Sequence, residues 1–497
     1  MKKDYKTTIG LEIHVELKTK TKMFCNSKND PDETRPNVNI CPICTAQPGT
    51  LPVINKEAVK SVLKVGLALK GQLADFTEFD RKNYFYPDIP KGYQISQYKF
   101  PLVFGGELKG VQITRVHLEE DTARSNHQGD YSLVDFNRAG VPLMELVTEP
   151  VIETAKQAGD FARELQLVLR YLGVSDANME KGEMRVEANI SVSQDENFGT
   201  KVEVKNLNSF RVVEKAIAYE VERQKAVLED GGTIVQETRG WDENSQKTFS
   251  QRIKEGSADY RYFPDPDLPK LKISELPEFQ EQELRKEIPE LPNEKRERYR
   301  LDFGIKDEDI EVYILNKDLA ELFEAVGNKF SEDRDIIKLA SNYLTSDLVG
   351  LIKRGERGPT SDVAKQHTVT KKHNKTNSEV GPQGLGKVEV DNFVNLIKLV
   401  KENKVSSRGA KDILILMYKE GGEPEKIAEE QGLFQVSDDG ALNKIIEQVI
   451  LENPVAVGEY KKGKEASLQY LVGQGMKISK GSANPAKISE LLKIKLI

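Results

Sequence analysis

Residues 8–17 have an aliphatic side chain at every second position and charged side chains between them from Glu12 onward, and no other stretch of the chain limits its fold as closely. A β-strand turns successive side chains to opposite faces, so this pattern predicts a half-buried strand. Its buried face is aliphatic and consists of Ile9, Leu11, Ile13, Val15 and Leu17. Its outer face carries the imidazole of His14 between the carboxylates of Glu12 and Glu16. Such a face can bind a divalent cation or a phosphoryl group, and the alternative is an ordinary solvent-facing strand surface.

The same alternation returns in residues 184–193 and 201–205. Their outer positions again combine acids, bases and an amide, namely Arg185, Glu187, Asn189, Glu203 and Lys205. Residues 115–121 and 143–149 add further acids, among them Glu119, Glu120 and Glu145. The pattern predicts an antiparallel sheet with one apolar and one charged face. Chemistry on a nucleotide with Mg²⁺ needs such a face, because the ion prefers oxygen ligands and the phosphates need cations.

Composition excludes several other classes of protein. The chain has 497 residues, 31% of them charged, and a net charge of −7, so its overall charge does not predict nucleic-acid binding. Any such surface must be a local basic patch. We find no apolar run of 18 residues and no signal peptide, and the odd number of cysteines, three, argues against a disulfide framework. These features predict a cytoplasmic protein.

The order of patterns predicts an α+β protein with three domains. Strands and helices alternate over residues 1–295, including a helix over 154–172 and a second helix capped by Ser209. Residues 296–410 are helical, except for a polar insertion at 354–388 that has the composition of a flexible segment. Residues 411–497 form a helical tail, where lysines near residues 460–464 and 477–485 could contact phosphates.

Cys25, Cys41 and Cys44 provide half of a familiar structural zinc motif. The C-x₂-C knuckle with a third cysteine is typical of zinc sites, which usually have four thiolate or imidazole ligands. No fourth ligand is close in sequence, since residue 27 is a serine. A zinc site and three reduced, partly buried thiols both remain open.

Several long blocks of the chain resemble the B subunit of the aspartyl/glutamyl-tRNA amidotransferases. The blocks span nearly the whole sequence and comprise residues 9–17, 79–88, 92–97, 131–138, 205–210, 260–267 and 480–485, with Gly473. The resemblance implies a first domain shaped as a cradle of the glutamine synthetase/guanido kinase type. An all-α helical region and a small helical tail would follow it.

The resemblance also implies an activity and partners. The protein would use ATP to phosphorylate the side-chain carboxylate of misacylated Glu-tRNA(Gln) and/or Asp-tRNA(Asn). Ammonia from a glutaminase, the amidase or A subunit, would then displace phosphate, and the small C subunit would hold the two larger subunits together. Two alternatives are a non-catalytic tRNA-binding scaffold and a free-standing ATP-dependent ligase. The ligase is disfavoured because the three cysteines cluster in one loop and no Ser-rich amidase segment is present.

Carried over by residue, the resemblance assigns magnesium, or manganese, to one set of side chains: Glu12, His14, Glu145 and one of Glu119 and Glu120. Strand parity favours Glu119, whereas the family position is that of Glu120, and a bulge could reconcile the two. A second set would contact phosphate or the tRNA 3′ end: Arg81, Lys82 and Asn83. A third set would line the same pocket: Arg185, Glu187, Asn189 and Lys205. The chain departs from the family at Ser27, where zinc-binding members have a cysteine, and in the 354–388 insertion.

Overall fold

A ten-stranded sheet is the framework of the first part of the chain. The computed structural model describes residues 5–195, 197–253, 260–355, 384–435, 439–479 and 483–496. Their contacts divide into two compact units, Met1–Pro292 and Asn293–Ile497. The first unit combines the sheet with helices and the second is helical, so the predicted α+β class is confirmed. None of the described helices is both long and apolar enough to cross a membrane.

Within the described residues, the strands all lie in the first unit. In chain order they are β1 (Lys6–Glu16), β2 (Gln72–Leu73), β3 (Phe76–Thr77), β4 (Asp80–Asn83), β5 (Tyr93–Ser96), β6 (Val103–Phe104), β7 (Glu107–Leu108), β8 (Val111–Glu120), β9 (Arg124–Gln128), β10 (Tyr131–Asp135), β11 (Pro142–Thr148), β12 (Met184–Ser193), β13 (Val202–Leu207), β14 (Glu237–Asp242), β15 (Lys247–Ile253), β16 (Phe263–Pro264) and β17 (Leu271–Lys272). The main sheet has the order β15-β14-β13-β12-β1-β11-β8-β6-β2, with β7 paired to β8. A small sheet, β16-β4-β5, lies beside it, with β5 next to β8.

Strand β1 lies between β11 and β12 and pairs antiparallel with both. Its alternation is the predicted one, since Ile9, Leu11, Ile13 and Val15 are at most 1% exposed. Helices α1 (Lys56–Ala68), α2 (Ala155–Tyr171) and α3 (Phe210–Glu229) pack on this apolar face and share its core. The opposite face of β1 is therefore left for the charged residues.

Local capping explains where α2 and α3 begin. The hydroxyl of Thr154 accepts a hydrogen bond from the amide of Gln157, and that of Ser209 accepts one from Val212. Each bond satisfies an amide that has no partner within its helix. Ser209 is thus the predicted cap.

The main sheet departs from the predicted antiparallel pairing at one pair of strands. Strands β13 and β14 pair in parallel, with Glu203 opposite Thr238 and Lys205 opposite Gly240. The reason is α3, which runs between the two strands and returns the chain to the end where β13 began. A parallel pair needs a crossover of this kind, whereas a hairpin gives an antiparallel one.

Helices make up the second unit. Short helices α4 (Glu281–Lys286) and α5 (Pro292–Arg298) precede or span the division between the units. The others are α6 (Asp307–Leu315), α7 (Lys317–Lys329), α8 (Arg334–Asn342), α9 (Val349–Gly355), α10 (Val390–Lys401), α11 (Ser407–Glu420), α12 (Pro424–Glu430), α13 (Asp439–Glu452), α14 (Pro454–Lys461), α15 (Glu465–Ile478) and α16 (Pro485–Leu496). Residues of α13, α15 and α16 share a separate apolar core. Most of the predicted insertion, residues 356–383, lies outside the described residues, as do residues 480–482 of the tail.

Gly66 in α1 tests how tightly the helix layer packs on the sheet. A β-carbon at this position would lie 2.5 Å from a methyl group of Val103, whose branched side chain has little freedom to move. Alanine gains about 1 kcal/mol in helix propensity, but overpacking costs about 1–3 kcal/mol. We expect Gly66→Ala to lower the free energy of unfolding by about 1 kcal/mol, measured by urea titration of the fluorescence of Trp241, the single tryptophan.

Gly159→Ala in α2 is the matched control. Its β-carbon would meet the carboxylate of Glu214, a flexible side chain that can swing away. The free energy of unfolding should change by less than about 1 kcal/mol, since the ion pair of Glu214 with Arg163 is exposed. Equal losses in both variants would contradict the close packing of α1 on β6.

Candidate active site

Four neighbouring strands align polar side chains across the charged face of the main sheet. In the register, Arg185 of β12 is opposite His14 of β1, His14 is opposite Glu145 of β11, and Glu145 is opposite His117 of β8. Residues opposite each other in adjacent strands point to the same face, so these four side chains form one row. The predicted residues Arg185, His14 and Glu145 are thus brought together.

His14 is surrounded by carboxylates. Its Nε2 lies 3.3 Å from Glu145 Oε2, 3.6 Å from Glu119 Oε1 and 3.9 Å from Glu12 Oε1. Burial favours the neutral imidazole, but the hydrogen bond to Glu145 and the surrounding negative charge raise the pKa of His14 to about 9. In the absence of a bound cation, His14 therefore carries a proton at neutral pH.

The acids respond differently to their surroundings. Burial, together with the charges of Glu145 and Glu187, raises the pKa of Glu12 to about 7. Burial also acts to raise the pKa of Glu145, but its neighbours His117 and His14 hold it well below the usual range. His117 is itself buried, and burial lowers its pKa to about 4, so it is neutral at physiological pH.

A second group of charges continues the face toward β13. Lys205 Nζ lies 2.7 Å from Glu187 Oε2 and 3.6 Å from Glu203 Oε1. Glu187 is opposite Glu12 in the register, and Asn189 lies between Gly10 and Glu203. The predicted residues Glu187, Asn189 and Lys205 therefore lie on the same side of the sheet as His14.

The structure separates Glu119 from Glu120. Glu119 is beside His14, whereas Glu120 accepts a hydrogen bond from the amide of Ile95 and lies 2.5 Å from Lys91 Nζ. The bulge that could have turned Glu120 toward the site does not occur there. Pairing of β8 with β11 is regular at both glutamates, and the register shift recorded between these strands is at Val147/Thr148. Strand parity thus predicted the orientation of Glu119.

The predicted residues of β4 point to two different faces of the small sheet, with Lys82 on one face and Arg81 and Asn83 on the other. Lys82 faces the acids: its Nζ lies 5.1 Å from the ring centre of Tyr260, and the charges of Glu119 and Glu145 outweigh burial and raise its pKa. Among the described residues, no carboxylate lies within 4.0 Å of Lys82 Nζ, so this ammonium group is available to an anionic ligand.

The neighbours of Lys82 are engaged elsewhere. Arg81 Nε lies 2.7 Å from Asp265 Oδ2, and its Nη2 lies 2.8 Å from Asp267 Oδ2. The amide of Asn83 donates to the carbonyl oxygens of Tyr260 and Arg261. Arg81 and Asn83 therefore hold residues 260–267 against β4, and the structure does not bring them together with the acids.

Arg185 has a fixed partner. Its Nη2 donates to Asp121 Oδ2 at 3.0 Å, and Arg138 Nε lies 3.4 Å from the same oxygen. Burial acts to raise the pKa of Asp121, but the two guanidinium groups outweigh it and lower the pKa. This ion pair positions Arg185 at one end of the row.

Comparison with known proteins is decisive for the family. Residues 7–277 match the family model described as the GatB/GatE catalytic domain, and residues 321–496 match the model described as the GatB domain. The B subunit of the aspartyl/glutamyl-tRNA(Asn/Gln) amidotransferase of Persephonella marina is 43% identical over 98% of this chain and 99% of its own length. The B subunit of the Geobacillus kaustophilus enzyme is 44% identical over 98% of both chains.

The chain belongs to the family of aspartyl/glutamyl-tRNA(Asn/Gln) amidotransferase B subunits. The first matched domain contains the whole charged face, from β1 to β13. The face described above is therefore the candidate active site of an amidotransferase B subunit.

The donor atoms of this B subunit suit a divalent metal ion. Three groups each place three donor atoms within 4.8 Å of one another: Glu12, His14 and Glu145; His117, Glu119 and Glu145; Glu12, Glu187 and Glu203. Within the described part of the chain, Glu119 Oε2 and His117 Nδ1 are buried without a hydrogen-bond partner. Buried polar atoms are rarely left unpaired, so each of these two atoms could accept an ion or a water molecule as its partner.

Several residues around the site of this B subunit were not among the predicted site residues, although Glu203 was placed on the charged face of the sheet. His117 and Glu203 belong to the groups of donor atoms that could hold a metal ion, and Asp121 anchors Arg185. His117 could have been found, because it alternates with Arg115 and Glu119 in the same strand. The role of Asp121 follows from pairing with residues far along the chain, which no local pattern reveals.

The three cysteines form a compact cluster. Cys44 Sγ lies 3.4 Å from Cys25 Sγ and 3.7 Å from Cys41 Sγ. Sulfur atoms bound tetrahedrally to zinc at about 2.3 Å lie about 3.8 Å apart, so the three thiols suit that ion. Ser27 Oγ lies 3.4 Å from Cys44 Sγ and is therefore beside the cluster. The pKa of Cys44 is lowered to about 4, mainly by its hydrogen bond with the thiol of Cys25. The charge of fully buried Lys22, which lies 3.6 Å from Cys44 Sγ, also contributes.

The protons on His14 and Glu12 predict a pH-dependent affinity for divalent cations. An ion that takes these donors must displace a proton from His14 below about pH 9 and from Glu12 below about pH 7. We expect the affinity for Mn²⁺ to rise between pH 6 and 9, with proton release measured by calorimetry in buffers of different ionisation enthalpy. His14→Ala should remove the dependence above pH 7, and an affinity that is constant with pH in the parent would contradict this protonation.

Ser27→Cys tests the thiol cluster. A fourth thiolate beside Cys44 would complete a tetrahedral ligand set, which zinc prefers in structural sites. We expect purified Ser27→Cys protein to hold about one zinc ion per chain and to keep it against a chelator better than the parent. Ser274→Cys, which adds an exposed thiol elsewhere, is the control. Equal zinc retention in the parent and Ser27→Cys would show that the parent site is already complete.

Proposed function

We propose that this chain activates the side-chain carboxylate of misacylated Glu-tRNA(Gln) and/or Asp-tRNA(Asn) with ATP, so that ammonia can replace the activated oxygen. The observation that supports this most directly is the ring of carboxylates around His14 next to the available cation Lys82. Family membership supports the substrate class, since the relatives are named as part of a tRNA amidotransferase.

The proposed reaction has two steps. A carboxylate oxygen of the substrate attacks the γ-phosphorus of ATP, the bond to the β-phosphate oxygen breaks, and ADP leaves with that electron pair. Ammonia then attacks the carbonyl carbon of the acyl phosphate, inorganic phosphate leaves, and the nitrogen loses a proton to give the amide. A carboxylate resists attack by ammonia until one oxygen has become a good leaving group, so phosphorylation must come first.

Magnesium fits the donor atoms of the site, and manganese is the alternative suggested by the imidazole ligand. Glu12, His14, Glu119 and Glu145 would hold the ion, with His117 and Glu187 beside them. When bound, the ion supplies positive charge that offsets the charge of the phosphates. The unpaired oxygen of Glu119 is the structural feature that supports this assignment.

The cations of the chain would have separate roles. Lys82 lies beside the acids without a close carboxylate partner, so we assign it the transferring phosphoryl group. Lys205 is held by Glu187, and Arg185 is held by Asp121. Their fixed positions suit them to orient a substrate carboxylate or phosphate with little loss of side-chain entropy.

Ammonia and tRNA handling would depend on other proteins and on the tail. We assign ammonia production to the amidase/glutaminase partner and assembly to the small C subunit, and the naming of the relatives as one lettered part of an amidotransferase supports such partners. The helical tail within residues 411–497 is our proposal for the tRNA-contacting part of this chain. ATP and magnesium are the proposed cofactors, and the proposed reaction assigns no step to the cysteine cluster.

His14→Ala in the complex with both partner subunits tests the proposed function. We expect conversion of Glu-tRNA(Gln) to Gln-tRNA(Gln) to fall at least about 100-fold with either glutamine or ammonium as nitrogen source, because the charge balance at the phosphoryl group is lost. Hydrolysis of glutamine should persist, since that chemistry lies on the amidase partner.

His127→Ala is the matched control, because His127 is exposed on the β9–β10 hairpin and bonds Ser132. It should amidate at the rate of the parent. Unchanged amidation by His14→Ala would instead favour a scaffold role for the charged face.

A further inference from the structure

Two tyrosines form a stacked pair beside the acidic face. The rings of Tyr98 and Tyr262 are nearly parallel, with centroids 4.4 Å apart and an angle of 11° between their planes. Tyr98 is 61% exposed, so one face of its ring is open to solvent. We call this pair the tyrosine stack.

Each tyrosine of the stack is connected to strand β4 of the small sheet. The backbone amide of Tyr98 donates a 2.9 Å hydrogen bond to Asp80 of β4. Tyr262 directly precedes Phe263, which pairs with Arg81 in the register of β16 with β4. The backbones of both tyrosines are therefore attached to the strand that carries Lys82.

A chain of contacts connects the tyrosine stack to the acids. Tyr262 contacts Tyr260 edge to face at 6.1 Å, and the ring of Tyr260 lies 5.1 Å from Lys82 Nζ. Lys82 in turn faces Glu119 and Glu145. An aromatic surface, a cation and a set of metal-type ligands therefore follow one another in space.

The same order is found along a nucleoside triphosphate, whose base, phosphates and metal ion follow one another. Aromatic side chains bind nucleobases by stacking, and each stacked base contributes about 1–3 kcal/mol. Exposed tyrosines are ordinary on a protein surface, so the exposure of Tyr98 alone does not indicate a ligand. What distinguishes Tyr98 is its stacking on Tyr262, whose contacts lead through Tyr260 to Lys82.

We propose that the tyrosine stack binds an adenine ring, with Tyr98 stacking on the base. This inference rests on the proposed function, which provides two sources of adenosine: ATP and the 3′-terminal adenosine of the aminoacylated tRNA. Stacking would position the base, and the contacts from Tyr262 through Tyr260 connect the tyrosine stack to Lys82, which we assign to the phosphates or the acylated end of the substrate. Tyr98 is therefore a positioning residue for the substrate and takes no part in bond making.

Tyr98→Leu in the complex with both partner subunits tests this proposal. We expect the KM for one substrate to rise about tenfold while kcat changes little, because the substitution removes the stacking surface and leaves the acids in place. Ammonium replaces glutamine in this assay, so that the amidase partner does not limit the rate. A rise in the KM for ATP identifies ATP as the source, and a rise in the KM for Glu-tRNA(Gln) identifies the terminal adenosine.

Two controls separate stacking from other effects. Tyr98→Phe keeps the ring and should retain the parent KM for both substrates. Tyr131→Leu removes a tyrosine of similar exposure, 60%, on the β9–β10 hairpin, and should also match the parent. Unchanged KM values for both substrates in Tyr98→Leu would overturn the inference, while the amidation measured in the same assay would still support the proposed function.

Direct binding keeps the inference testable if the parent complex does not amidate. Equilibrium dialysis with labelled ATP, and separately with a short RNA ending in CCA, measures the affinity without turnover. About tenfold weaker binding of either probe by Tyr98→Leu supports the tyrosine stack as an adenine site. If Tyr98→Leu and the parent bind both probes equally, the adenine site is overturned. If the parent complex fails to amidate but Tyr98→Leu weakens binding of a probe, only the proposed function is contradicted.

Discussion

The register of β1 with its two neighbours is the constraint on which the rest of the first unit depends. Because the side chains of a strand alternate with a period of two, a shift of one residue would turn His14 and Glu12 into the apolar core. The buried residues Ile13 and Val15 oppose such a shift, since they would then face the acids. The hydrophobic core thus fixes the position of the charged face, and the site is as rigid as the sheet.

Burying several carboxylates on one face has an electrostatic consequence. Desolvation disfavours the charged forms, and like charges a few ångströms apart repel. The structure offsets this with protons on His14 and Glu12 and with the ammonium groups of Lys82 and Lys205. This collection of acids is more than a stable fold requires, and family membership agrees with a functional reason for it.

Local patterns predicted the parts of the structure that local forces determine. The alternation of apolar and charged residues was sufficient for β1 and β12, and helix spacing with a capping hydroxyl was sufficient for α2 and α3. Strand parity also placed Glu119 correctly. The parallel β13–β14 pair, the binding of Arg81 to Asp265 and Asp267, and the tyrosine stack were not predictable in this way. Each joins segments that are distant in sequence or depends on the direction of a crossover, and neither feature leaves a periodic signal.

Two glutamates each belong to more than one group of donor atoms. Glu12 is common to the groups around His14 and around Glu203, and Glu145 is common to the groups around His14 and around His117. The three groups therefore cannot fill or titrate independently. A cation that takes up Glu12 at one end changes the negative charge felt at the other, and it alters the number of protons that remain. If metal ions bind as proposed, occupancy of one group would therefore affect the next through a shared glutamate.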